Sequence, residues 1–138
     1  MGEIMIRGSC LCGGVRFQYT RAVSQVGMCH CSQCRKVSGT ASNAVIVVPE
    51  TDFEWISGEE LRRVFSKPTG WKSTFCASCG SPLPQSIPGS AAWWVPAGLL
   101  DDDPGLVIGG HIFVGSKAAW DEIAGDAPQF EAGVGRAR

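Results

Sequence analysis

Apolar and polar side chains alternate in Val15-Arg16-Phe17-Gln18-Tyr19, the two-residue period of a strand with one buried face. Further strands are predicted over residues 44–48, 53–56, 61–65, 72–76, 92–97 and 111–114. Short clusters of glycine and proline separate these runs, so brief strands joined by turns are expected rather than long helices. One short helix is predicted over 116–123, with Trp120 and Ile123 on one face. Asp101-Asp102-Asp103-Pro104-Gly105 reads as a solvated turn rather than a metal site, and residues 131–138 as a frayed tail. Glu59-Glu60 and Arg62-Arg63 read as an exposed turn and strand edge without function. No break in the pattern marks a domain boundary, so a single mainly β domain over 1–138 is predicted, its core at about 6–130.

At 138 residues, 44% hydrophobic and 18% charged, the chain is long and apolar enough to form a true core. A formal net charge of −1 gives no electrostatic basis for binding nucleic acid. His30 and His111 are the only histidines, so a DNA-binding finger with paired histidines is excluded. No apolar run is long enough to span a bilayer, and the first ten residues, with Glu3 and Arg7, lack a secretory h-region. The expected compartment is the reducing cytoplasm, with no membrane partner.

Seven cysteines change this picture most: Cys10-x-Cys12, Cys29-x-Cys31-x-x-Cys34 and Cys76-x-x-Cys79. An odd count and bridges across one intervening residue argue against disulfides, whereas the spacing suits metal ligation. Four cysteines close a tetrahedral structural zinc, and three leave an open catalytic position. Cys10, Cys12, Cys76 and Cys79 fit the first role, the Cys76-x-x-Cys79-Gly80 turn being a zinc knuckle whose glycine permits positive φ. Cys29, Cys31 and Cys34 fit the second, since three adjacent thiolates need a cation to hold them deprotonated. His30 stands between two of these and is expected to point away from the metal; spacing alone also permits one cluster shared by both sets.

Gly8-Ser9-Cys10-x-Cys12-Gly13-Gly14, Cys29-His30-Cys31-x-x-Cys34-Arg35-Lys36, Phe75-Cys76-x-x-Cys79-Gly80 and the run from His111 to Trp120 together resemble the glutathione-dependent formaldehyde-activating enzyme family, whose domain is also called centromere-protein-V-like. The resemblance covers about 6–130 and implies an Mss4-like, mainly antiparallel β fold. It also implies two zinc ions, a structural one on Cys10, Cys12, Cys76 and Cys79 and a catalytic one on Cys29, Cys31 and Cys34. The implied activity is that of a carbon–sulfur lyase joining glutathione and formaldehyde as S-hydroxymethylglutathione. The chain departs from the better-known members in lacking extended loops around the second cysteine set, which leaves the thiol and the aldehyde open.

Glutathione carries two carboxylates, so Arg35, Lys36 and Lys117 are candidate clamps, and Trp71 or the Trp93-Trp94 pair candidate apolar walls. Two other functions compete: a non-catalytic zinc module that binds a partner or carries a thiol, and a redox sensor built on Cys29, Cys31 and Cys34. A fourth protein ligand on the second metal would favour the module. The oligomeric state is not encoded in any pattern above.

Overall fold

A computed structural model describes residues 4–20 and 23–133; the far end of the expected tail, 134–138, lies outside the described residues. Ten strands and one α-helix are present among them: β1 Met5–Ser9, β2 Arg16–Thr20, β3 Gln25–Cys29, α1 Ser32–Ser38, β4 Asn43–Pro49, β5 Phe53–Ser57, β6 Arg62–Ser66, β7 Lys72–Cys76, β8 Gln85–Ser86, β9 Ala92–Pro96 and β10 Val107–Ile112. They form a three-stranded sheet β1-β2-β5, a five-stranded sheet β10-β3-β4-β9-β8 and a hairpin β6-β7. The fold is mainly β and antiparallel, as the resemblance implies, although β10 pairs in parallel with β3. No helix in the described residues is long and apolar enough to cross a membrane.

Phe17 and Tyr19 of β2, Ile6 of β1, Val26 of β3, Ile46 and Val48 of β4 and Val95 of β9 form the main core between the two larger sheets. Gly8 is paired with Phe17 across β1 and β2, and a Cβ there would collide with the Phe17 ring. Aromatic rings continue the core: Phe53 stacks on Trp93 at 4.7 Å between centroids, and Trp55 meets both edge-on. Side chains on successive strand residues face opposite ways, so Trp93 and Trp94 do not act as a pair. Trp93 packs on the core, whereas Trp94 stands on the outer face of the five-stranded sheet. β9 is flanked by β4 and β8 and is not an edge strand.

Helix α1 replaces the helix expected at 116–123. Its N-cap is Cys31, whose Sγ accepts from the Cys34 N–H at 3.3 Å, and it ends on Gly39 at φ 68°. The 116–123 stretch is instead a 3₁₀ turn at Val114–Ser116 followed by irregular chain. Phe113 enters that turn in the left-handed region at φ 57°, and Lys117 is extended at ψ 154°, so no helix can propagate. Trp120 is 73% exposed rather than packed on a helical face. The strand expected at 111–114 begins earlier, at Val107, and ends before Phe113.

The aspartate turn is anchored rather than simply solvated. Asp102 accepts from the Arg7 backbone N–H at 2.9 Å and from its guanidinium at 3.1 and 3.0 Å, and Asp101 accepts from Ser9 Oγ at 2.8 Å. The start of the expected tail is also held, because the Phe113 N–H donates to the Ala132 carbonyl at 3.0 Å.

Candidate functional site

Two groups of cysteines converge. Cys10 and Cys12, on the turn after β1, meet Cys76 at the end of β7 and Cys79 in the knuckle after it, all four Sγ atoms lying within 4.8 Å of one another. Cys10 and Cys12 sulfurs are 3.6 Å apart, and Cys12 and Cys76 3.8 Å. A tetrahedral ion at a zinc–thiolate distance of 2.3 Å has sulfur–sulfur edges of about 3.8 Å, so this donor set fits the ion. Cys10 and Cys76 are buried and, with Val15 and Leu83, form a second small core. The knuckle turns as expected, Gly80 having φ 79° and donating its N–H to the Cys76 carbonyl at 2.8 Å.

Hydrogen-bond donors face these sulfurs. The Val15 N–H lies 3.3 Å from Cys10 Sγ. Ser81 Oγ accepts from the Leu11 N–H at 3.0 Å and sits 3.3 Å from Cys79 Sγ, which leaves the hydroxyl proton for the sulfur. That hydroxyl, with the backbone amides of Ser81 and Cys12, pulls the Cys79 thiol down to about 5. Ser81 was not singled out in the sequence. Its only signal is its place two residues after the last knuckle cysteine.

Cys29, Cys31 and Cys34 form the second group, again within 4.8 Å of one another, and no His, Asp or Glu among the described residues joins them. Cys29 is the last residue of β3, Cys31 caps α1, and Cys34 lies one turn on, so a strand end and a helix start supply all three. The Cys34 thiol draws Cys29 down to about 6 against the effect of burial, and the same contact, with burial, pushes Cys34 far up. Three sulfurs this close together are a fitting donor set for zinc, with a coordination position left over.

His30 is turned away from the sulfurs. Its Nε2 lies 3.0 Å from His111 Nδ1, and its Nδ1 lies 3.4 Å from Asp121 Oδ2, all three side chains being largely enclosed. Burial, reinforced by His111 and opposed by Asp121, holds the His30 imidazole below its ordinary range. Neither His111 nor Asp121 was picked out beforehand, since nothing local links positions so far from Cys31.

The Cys34 side opens into a cleft of about 40 Å³, walled by Trp71, Lys72, Thr74, Gln85, Val45 and Trp94. Gln85 donates to the Lys72 carbonyl at 3.1 Å and accepts from Thr74 Oγ1 at 3.3 Å, which pins β7 beside the sheet. Lys72, Thr74 and Gln85 also border a second depression of about 330 Å³, where Arg62 lies 4.0 Å over the Trp55 ring. Of the expected contacts, Trp71 and Trp94 thus reach the cleft, whereas Trp93 packs on the core. Arg35 has an enclosed Nε without a protein acceptor. Lys36 is exposed on α1, and Lys117 is committed to the Asp121 carbonyl at 2.8 Å. Lys72 borders the cleft and, with Arg62 at the start of β6, the depression beside it.

Comparison with known proteins bears on this geometry. Residues 5–116, which include all seven cysteines, match the family described as glutathione-dependent formaldehyde-activating enzyme. The chain is also similar to a crystal structure of a Rhodobacter sphaeroides protein, with a TM-score of 0.61 over 89% of this chain and 98% of that one. At 19% identity, that likeness speaks to the fold alone.

Proposed function

Because the chain belongs to the glutathione-dependent formaldehyde-activating enzyme family, we propose that it is a zinc-dependent carbon–sulfur lyase acting on a thiol adduct of an aldehyde, with glutathione as the thiol. The supporting observation is the convergence of Cys29, Cys31 and Cys34 without a fourth ligand among the described residues, beside a cleft that Trp71 and Lys72 wall. When bound there, zinc supplies the charge that lowers a substrate thiol's pKa and polarises an aldehyde oxygen. Three anionic ligands weaken the second effect, so the site favours presenting a thiolate over strong carbonyl polarisation. Cys10, Cys12, Cys76 and Cys79 hold the other zinc, which staples the fold.

In the addition direction a sulfur–carbon bond forms, the carbonyl π bond opens, and the thiol proton ends on oxygen; cleavage runs the same steps backwards. The chain's own groups orient the reactants. Lys72 and Arg62 border the depression next to the cleft, together with Glu59, and are the cations that a peptide carboxylate would meet there. Trp71 and Trp94 exclude water from the narrow part.

The test is zinc content per chain, with and without Cys31→Ser, combined with a glutathione titration of the cobalt-substituted protein. Two ions falling to one in a folded variant without turnover, and a cobalt spectrum that responds to glutathione, are expected. One ion throughout, or two that ignore every thiol, would mark a non-catalytic zinc module instead.

A further inference from the structure

The outer face of the five-stranded sheet carries more than the metal ligands. Val26 and Met28 of β3 point into the core, so Gly27 and Cys29 present to the opposite face. Val45 and Val47 of β4 and Trp94 of β9 share that face, as their alternation with Ile46, Val48, Val95 and Trp93 requires. Together with Gly27, Ile112 and Phe130 they line an open trough of about 810 Å³, walled mainly by hydrocarbon apart from Ser24 and Gln25.

No cysteine lines this trough, but its walls adjoin the second cysteine group. Ile112, one of its walls, is paired directly with Cys29 across β10 and β3. Val45 and Trp94 line both the trough and the cleft at Cys34, so the two spaces meet along a common wall. The cleft alone, about 40 Å³, holds a one-carbon group and little else, whereas the trough is of the size usual for small-molecule sites, roughly 300–1,000 Å³. Val47 is 52% exposed here, an apolar side chain left open in a concavity next to chemistry.

We propose that the trough seats the hydrocarbon substituent of the aldehyde, so that the substrate class is the hemithioacetal of glutathione with an aldehyde bearing an apolar chain or ring, rather than with formaldehyde. This rests on Cys29, Cys31 and Cys34 being a thiol-handling centre and adds what lies on the far side of the reacting carbon. The sulfur and carbinol carbon occupy the cleft, the peptide arm lies toward Lys72 and Arg62, and the hydrocarbon runs over Val45 and Trp94 onto Gly27, Val47 and Ile112. The chemistry is unchanged, with the same sulfur–carbon bond made or broken and no oxidant required.

The test is calorimetric titration of the zinc-loaded protein with glutathione, S-methylglutathione and S-hexylglutathione, in the native chain and in Val47→Asp. Each fully buried methylene is worth on the order of fourfold in affinity, and a half-open trough returns part of that. S-hexylglutathione is therefore expected to bind roughly thirtyfold tighter than the methyl conjugate, with the ratio falling below about threefold in Val47→Asp. The native ratio decides the matter even where the variant fails to fold. Equal affinity for the two conjugates overturns the proposal while leaving the thiol centre standing, and so does a preference that survives Val47→Asp. Binding of none of the three removes the glutathione-based function and the trough with it. A dimer that Val47→Asp dissociates, with no hexyl preference, makes the trough a self-association face and likewise overturns the proposal.

Discussion

The imidazoles of His30 and His111 are joined Nε2 to Nδ1 at 3.0 Å, tying the residue between two metal-ligand positions to the strand that completes the five-stranded sheet. Removing one partner leaves the other buried without its hydrogen bond. His111→Ala is expected to cost roughly 1–3 kcal/mol in urea unfolding of the zinc-loaded protein. A loss within error of zero would show that the pair contributes nothing.

The same pair predicts a pH dependence. The folded state holds His30 below its ordinary pKa, chiefly by burial, whereas the unfolded chain takes up a proton near pH 6.5. Stability from this group is therefore fully present above about pH 6.5 and declines as the pH falls toward the lowered value. Between about pH 7.5 and about pH 5.5 the native protein should lose more stability than His30→Gln, by up to about 1 kcal/mol. Equal losses, measured by urea titration at both pH values, would refute it.

Ser81→Ala removes the hydroxyl beside Cys79 Sγ without touching a ligand. Because that hydroxyl is the first cause of the lowered Cys79 pKa, its loss raises the thiol pKa and lets protons compete with metal at higher pH. The midpoint of acid-driven zinc release should move upward, and affinity at neutral pH should drop about 10–100-fold, as followed with a chromogenic chelator. An unmoved midpoint would count against the Leu11–Ser81–Cys79 chain of contacts.

Gly8→Ala forces a methyl group into the Phe17 ring, which is wholly enclosed at 1% exposure. The expected cost is roughly 1–3 kcal/mol, measured by thermal or urea unfolding. Gly8→Ala with Phe17→Leu should recover part of it; a double variant that fares no better than the sum of its parts would argue against the contact.

The cysteines were legible because ligand spacing is local: Cys29 to Cys34 fall on one strand end and one helix turn, and Cys76-x-x-Cys79-Gly80 closes its own turn. Short apolar runs such as that of β4 were legible for the same reason. β1 and β3 were not, because Gly8 and Gly27 interrupt their apolar pattern, and what fills those positions is Phe17 in one case and open trough in the other. Helix α1 hid behind a cysteine cap, which the usual serine or aspartate signal does not announce. The helix expected at 116–123 fails through tertiary demands, Phe113's left-handed turn and Asp121's approach to His30. Lys72 and Arg62 reach the cleft region only because the β6-β7 hairpin folds over α1 and β8, where Lys67 and Gln85 hold it.

The parallel pairing of β10 with β3 sets an order of events during synthesis. A chain emerging from the ribosome has all seven cysteines out by Cys79, so the knuckle can meet Cys10 and Cys12 across its long loop before Val107 emerges. The strand that backs Cys29 and supplies His111 arrives last. The first cysteine group can thus be assembled early, while Cys29, Cys31 and Cys34 stay without the support of β10 until that strand emerges.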